Sequence, residues 1–220
     1  STGGSGDLII QQILPYQAWG NKYVTAPTSV ASGPNASSNM TNIYRIMVKD
    51  PNTEVRKNGQ LLTGLNNNRY YQYESSTADY IESNKPVLVA QYMSSSGSCT
   101  NTSGNGDPEM FYLSPLQQAI KSTQFYRNDK DDIDENFITL VIPTEGLTSL
   151  RIDGIHYSAY PATDRYVYAH PNLPGYSVVT KKWAAGNGSS NVSSEHPFTG
   201  IVYGLGNVES YGYNIGTLVK

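Results

Sequence analysis

Thr53-Glu-Val-Arg-Lys-Asn-Gly59 is answered by Thr148-Ser-Leu-Arg-Ile-Asp-Gly154 at a constant offset of 95 residues, 53 to 148 and 59 to 154. The flanks repeat in the same order. An Ile-rich segment precedes each copy (Ile43 to Val48; Phe137 to Ile142), and a Pro-led apolar segment follows it (Pro86 to Tyr92; Pro197 to Tyr203). A duplication of this length is too long for a solenoid repeat and suits a small domain. The chain therefore reads as two tandem copies of one fold.

Each copy is written for sheet. Asn58-Gly59 and Asp153-Gly154 separate alternating runs, and both dipeptides supply the positive φ angles of a two-residue hairpin turn. Glu54, Arg56 and Gln60 alternate with Val55 and Leu61, and Arg151 alternates with Leu150 and Ile152, so each hairpin has a wet and a dry face. The 18 tyrosines outnumber the 15 lysines and arginines, which favours pleated, half-buried surface. Leu113 to Ile120 has helical spacing but is too short to stand alone.

Strands are expected at 8–14, 20–25, 43–49, 53–57, 60–65, 69–74 and 87–93, then at 109–113, 121–126, 137–142, 148–152, 155–160, 176–182 and 199–205. Seven short strands per copy predict an all-β fold of two duplicated β-sandwich-like units. The expected boundaries are a leader at 1–6, a first unit at 7–98, a Ser/Gly-rich linker at 99–108 and a second unit at 109–220. Val55 and Leu150, Ile46 and Leu140, and Val89 and Val202 are the expected core pairs. The aromatic-glycine segment Tyr203 to Tyr213 is expected to return to the second unit's core.

A net charge of −3 gives no basic footprint for nucleic acid, and no apolar run is long enough to span a bilayer. Cys99 is the only cysteine, so no internal disulfide forms. His156, His170 and His196 stand in separate segments, without metal-ligand spacing, a nucleophile elbow or a phosphate-binding loop. These patterns point away from an enzyme and from a resident cofactor. Asp129, Asp131 and Asp134 are the candidate calcium ligands, against the competing reading of a solvated loop. Asn35, Asn39, Asn101, Asn187 and Asn191 head sequons in Ser/Gly-rich stretches where a glycan can protrude.

Four strings carry a resemblance. Gly6-Asp-Leu-Ile-Ile-Gln-Gln-Ile-Leu-Pro-Tyr-Gln-Ala-Trp-Gly20, Ser83 to Tyr92, Gly106 to Met110 with Ser114 to Gln118, and Tyr203 to Gly216 together resemble the IgG Fc-binding protein N-terminal domain family. That family occurs in animal mucus proteins and in bacterial surface proteins. The resemblance implies a β-rich extracellular module used for binding or adhesion, with no catalytic residues to carry over. This chain starts one repeat later than family members usually do, and the family's Pro-Pro is Pro15-Tyr16 here.

A sandwich unit without its usual neighbour leaves an apolar face or a strand edge open, which recruits another chain. Leu8, Ile9, Ile10, Ile13 and Leu14 form the expected docking strand, with completion of the chain's own first sheet as the alternative. The expected function is a non-catalytic extracellular structural or adhesive protein, a self-assembling subunit of a surface filament. Its partners would be copies of itself or neighbouring surface domains, with glycans as further candidates. The alternative is a monomeric module of a surface adhesin that binds a protein or glycan.

Overall fold

The computed structural model describes residues 9–30, 39–95, 105–184 and 186–218. Two antiparallel sheets carry the fold, one for each copy of the repeat. The first contains β1 (Gly20–Val24), β2 (Asn42–Val48), β3 (Val55–Lys57), β4 (Gln60–Leu61), β5 (Tyr70–Ser75), β6 (Tyr80–Tyr92) and β7 (Met110–Tyr112). The second contains β8 (Ile120–Arg127), β9 (Ile133–Pro143), β10 (Arg151–Ile152), β11 (Ile155–His156), β12 (Arg165–Ala169), β13 (Tyr176–Ala184), β14 (Gly188–Gly206) and β15 (Glu209–Asn214).

Each sheet is organised by one long strand that changes partners midway. The first part of β6 pairs with β1 and β3, and its last part pairs with β2 and β7. In the same way β14 pairs first with β8 and β10, then with β9 and β15. Pro86 and Pro197 sit at the changeover; lacking an N–H, each interrupts a ladder where the strand must bend. Both sheets curl there into half-barrels, so strands from the two parts of a sheet contribute to one core. The Pro-led segments are thus the second halves of strands that start earlier, at Tyr80 and Gly188.

The two ladders superimpose residue by residue. Gly20 pairs with Val87 and Ile120 with Phe198, and both long-strand residues directly follow their proline. Leu113 donates its amide to Val89 O at 2.9 Å, and Ile215 donates to Gly200 O at 3.2 Å. By this register β2 corresponds to β9, β3 to β10, β5 to β13, β6 to β14 and β7 to β15, while β12 is additional. The two hairpin tips match as well: Asn58 and Gly59 have φ of 53° and 82°, Asp153 and Gly154 have φ of 52° and 73°.

Ile46, Val55 and Val89 are fully buried in the first core, and Leu140, Leu150 and Val202 in the second. The ladder aligns Val89 with Gly200, however, and Val202 with Gln91. Leu61, expected on the dry face of its hairpin, is 49% exposed because β4 is a two-residue edge strand. Residues 9–14 form no ladder, so the expected first strand has no sheet partners. β7 belongs to the first sheet, and the polypeptide leaves that sheet only after Tyr112. Cys99 lies outside the described residues.

Candidate docking face

Strand burial separates the two units. β2 alternates buried and half-buried residues along its length, whereas Phe137 to Ile142 of β9 are buried without interruption. A strand covered on both faces has no wet side to display, and its sequence loses alternation. One face of β9 and β14 carries Ile138, Leu140 and Val202 into the second core. The opposite face carries Phe137, Ile201, Tyr203 and Leu205 into the first. The second unit's sheet is therefore the lid of the first unit's half-barrel. This corrects one expectation: Tyr203 and Leu205 enter the first core, while Tyr211 and Tyr213 pack against the second.

Tyr203 is the centre of this lid. Its ring stacks on Phe137 at a centroid distance of 4.9 Å, and its hydroxyl accepts the amide of Ser29 at 2.8 Å. Burial raises the Tyr203 phenol above its ordinary pKa, which keeps it neutral inside the protein. Beside it Val24, Ala26 and Ala78 pack on Val141 and Val178. Gly20 meets the 3-10 turn Leu116–Gln118, where an added Cβ would lie 2.3 Å from Pro115 Cβ.

The same face of the first unit has no second sheet over it among the described residues. The ladders align Ile43 with Phe137, Arg45 with Thr139, Met47 with Val141 and Tyr92 with Tyr203. The four first-unit residues are half-buried; their counterparts are 0–3% exposed. The Arg45 guanidinium lies over the rings of Tyr70 and Tyr92 at 5.3 and 5.0 Å, and its Nε donates to Gln72 Oε1 at 2.8 Å.

The amino-terminal segment runs along this face. Ile9 and Leu14 pack with Trp19 and Met47 against Leu88, Ala90, Met110 and Tyr112. Trp19 Nε1 donates to Leu14 O at 3.0 Å, which fixes the end of the segment. Ile10 and Ile13 point outward, 74% and 49% exposed. Leu8 lies outside the described residues. A further correspondence is visible only in the structure: Pro15 opens the 3-10 turn Tyr16–Ala18 before β1 as Pro115 opens Leu116–Gln118 before β8. Ile9–Leu14 thus stands where β7 stands in the second copy, directly ahead of a Pro-led turn.

The remaining candidates are dispersed. Asp129 accepts Asn187 Nδ2 at 2.8 Å, Asp134 accepts Asn105 Nδ2 at 3.5 Å, and Asp131 occupies a positive-φ turn position. Among the described residues no three His, Cys, Asp or Glu side chains converge as a metal site would require. Asn187 is exposed in a loop, Asn191 is exposed within β14 rather than in a loop, and Asn39 forms an isolated bridge with Ser29. Asn35 and Asn101 lie outside the described residues. His156 Nδ1 and Nε2 contact Ser158 and Leu147 O, and His196 contacts Glu145 at 3.1 Å.

His170 is different, being buried at the junction of the units near Asp79. Asn172 joins the units there by donating to Ala78 O at 2.8 Å, while its amide donates to His170 Nδ1 at 3.2 Å. Asp79 Oδ1 accepts Asn58 Nδ2 at 2.6 Å, with Lys57 Nζ 3.9 Å away. Burial lowers the His170 pKa, and the Asp79 charge opposes that shift without reversing it.

A family model described as IgGFc binding protein matches residues 1–204. No curated protein and no solved structure matches this chain. No helix among the described residues is long and apolar enough to cross a membrane.

Proposed function

Because the chain belongs to the IgGFc-binding protein family, a family of binding modules, we propose that it is a non-catalytic extracellular building block, structural or adhesive, that assembles through its amino-terminal segment and first unit. The observation that carries this reading is the place of Ile9–Leu14. Its counterpart β7 adds to a long strand, whereas Ile9–Leu14 has no ladder and turns Ile10 and Ile13 to solvent. Apolar chain without a sheet partner is the form in which strands are donated between modules. Copies of the chain or neighbouring surface domains are its partners, in an extended assembly such as a surface filament. Antibody binding is not carried over, since function resides in a site rather than in a family's name.

Sedimentation velocity on the full chain and on a chain lacking residues 1–14 tests the reading. Concentration-dependent assembly by the full chain, lost from the shortened one while its circular dichroism stays unchanged, supports it. A full chain that never assembles, or a shortened one that still does, overturns it.

A second reading, a monomeric module that binds a glycan or protein, is favoured by one observation. Both units carry a polar groove in the same place, with Glu54, Arg56 and Asn84 in the first and Ser149, Arg151 and Glu195 in the second. Saturable glycan binding by the monomer, weakened by Arg56→Ala together with Arg151→Ala, would select that reading.

A further inference from the structure

We propose that the outer face of the first unit seats on the second half-barrel of another copy of this chain, so that copies join head to tail. The inference rests on the assembly reading above and names the two surfaces that meet. The molecule already contains one such junction. The face bearing Phe137, Val141 and Tyr203 closes the first half-barrel, Phe137 and Tyr203 entering its core and Val141 packing beside it on Val24 and Ala26, with Tyr203 hydrogen-bonded to Ser29 across the seam.

The first unit presents the matching face at one end of the molecule. Ile43, Met47 and Tyr92 occupy the ladder positions of Phe137, Val141 and Tyr203, and an aromatic ring is kept at the central position. With Ile9 and Leu14 packed along part of this face, these residues are half-buried where their counterparts are buried, and Ile10, at 74% exposure, extends the apolar surface beside them. Apolar area of this kind is stabilised by removal from water.

The second unit presents the matching socket at the other end. Leu62 and Leu65 pack at the edge of the first core, and Tyr157 and Tyr160 hold those places on the second at the 95-residue offset. Phe111 of the first core is 1% exposed and lies against Gly212 of the second unit. Its ladder counterpart Tyr213 is only half-buried, and the neighbouring Tyr126 is 51% exposed. Among the described residues no further sheet covers this second core. A face at one end and a different, complementary opening at the other form a heterologous contact, which repeats without closing unless the rotation between copies makes a ring. Tyrosines suit such a surface because their rings bury area while the hydroxyls still find partners.

The test uses Met47→Glu on the face and Tyr126→Glu at the socket, both at half-buried or exposed positions, each checked for native circular dichroism. Sedimentation velocity should show the unmodified chain growing steadily with concentration. Each variant alone should remain monomeric. An equimolar mixture should form dimers and stop there, since one intact face meets one intact socket. Ile43→Glu serves as the face variant should Met47→Glu fail to fold. Variants that assemble like the unmodified chain overturn the inference and leave assembly through residues 1–14 standing. Growth that stops at a symmetric dimer also overturns it. An unmodified chain that stays monomeric removes both readings.

Discussion

Asn58 and Asp153 perform the same task in the two units. Each donates its backbone amide to a long-strand carbonyl, Tyr80 O and Asn191 O, at 2.8 Å. Each then receives the amide of that same residue on its side-chain Oδ1, at 2.8 Å from Tyr80 and 2.9 Å from Asn191. A turn residue that tolerates positive φ and carries an acceptor is needed twice, which is why the repeat retains Asn and Asp there.

The two sites differ in what else the side chain touches, and this yields a pair of opposite outcomes. Asn58 also donates to the buried Asp79, while Asp153 accepts Ser190 Oγ at 3.1 Å. Asn58→Asp sets two carboxylates together and should lower the urea midpoint. Asp153→Asn should leave the midpoint nearly unchanged. Ala at either place loses the acceptor and meets positive φ, and should cost about 1–3 kcal/mol.

Tyr203→Phe tests the seam between the units. It removes the only acceptor shown for the Ser29 amide, which is buried. An unsatisfied buried amide costs about 1–3 kcal/mol, and Tyr203→Ala adds a cavity for a total of about 3–5 kcal/mol. Chemical denaturation measures both, and a Tyr203→Phe variant as stable as the unmodified chain would contradict the placement of the hydroxyl.

Glycine is required where strands and turns meet without room for a side chain. An added Cβ at Gly206 would lie 1.9 Å from Asp132 O, and one at Gly20 would lie 2.3 Å from Pro115 Cβ. Gly206→Ala should give little folded protein. Gly20→Ala should fold with a lowered midpoint, because the Pro115 turn is a junction between units and can yield.

Acid should weaken the molecule through His170. Its folded pKa lies below 6.5, so the unfolded chain binds the proton first as the pH falls. The stability that depends on neutral His170 is fully present above about pH 6.5 and declines below it, reaching its floor once the folded pKa is passed. Asp79, Lys57 and the half-buried Tyr168 and Tyr176 share this junction. Urea midpoints measured from pH 7.5 to 5 should fall less steeply for His170→Gln than for the unmodified chain.

Much of this was legible in the chain itself. The duplication, both hairpin tips and the burial of Val55, Leu150, Ile46 and Leu140 follow from local spacing and turn chemistry. The continuous apolar run at Phe137 to Ile142 already differed from the alternating Ile43 to Val48. Its meaning, a strand covered on both sides, depends on where a distant unit packs. Pro86 and Pro197 lie at bends inside long strands rather than at strand starts, and a proline at a bend looks locally like one at an end. The pairing of Ile43 with Phe137 as equivalent face positions emerges only from the ladders, since their sequences share size and apolarity but no motif. Ile9–Leu14 shows the opposite limit: its strand composition was plain, yet composition cannot supply the partner a strand needs.

The account rests on two half-barrels that share a wall, the sheet of β9 and β14 buried on both faces, so their unfolding must be coupled. Trp19 reports on the first unit and Trp183 on the second, and these are the only tryptophans. Urea unfolding followed by fluorescence in Trp19→Phe and Trp183→Phe, each alongside circular dichroism of the same sample, compares the units directly. Coincident fluorescence and circular dichroism transitions within each variant are the predicted result. A fluorescence midpoint clearly separated from the circular dichroism midpoint in either variant would contradict the shared wall and the lid face on which the assembly depends.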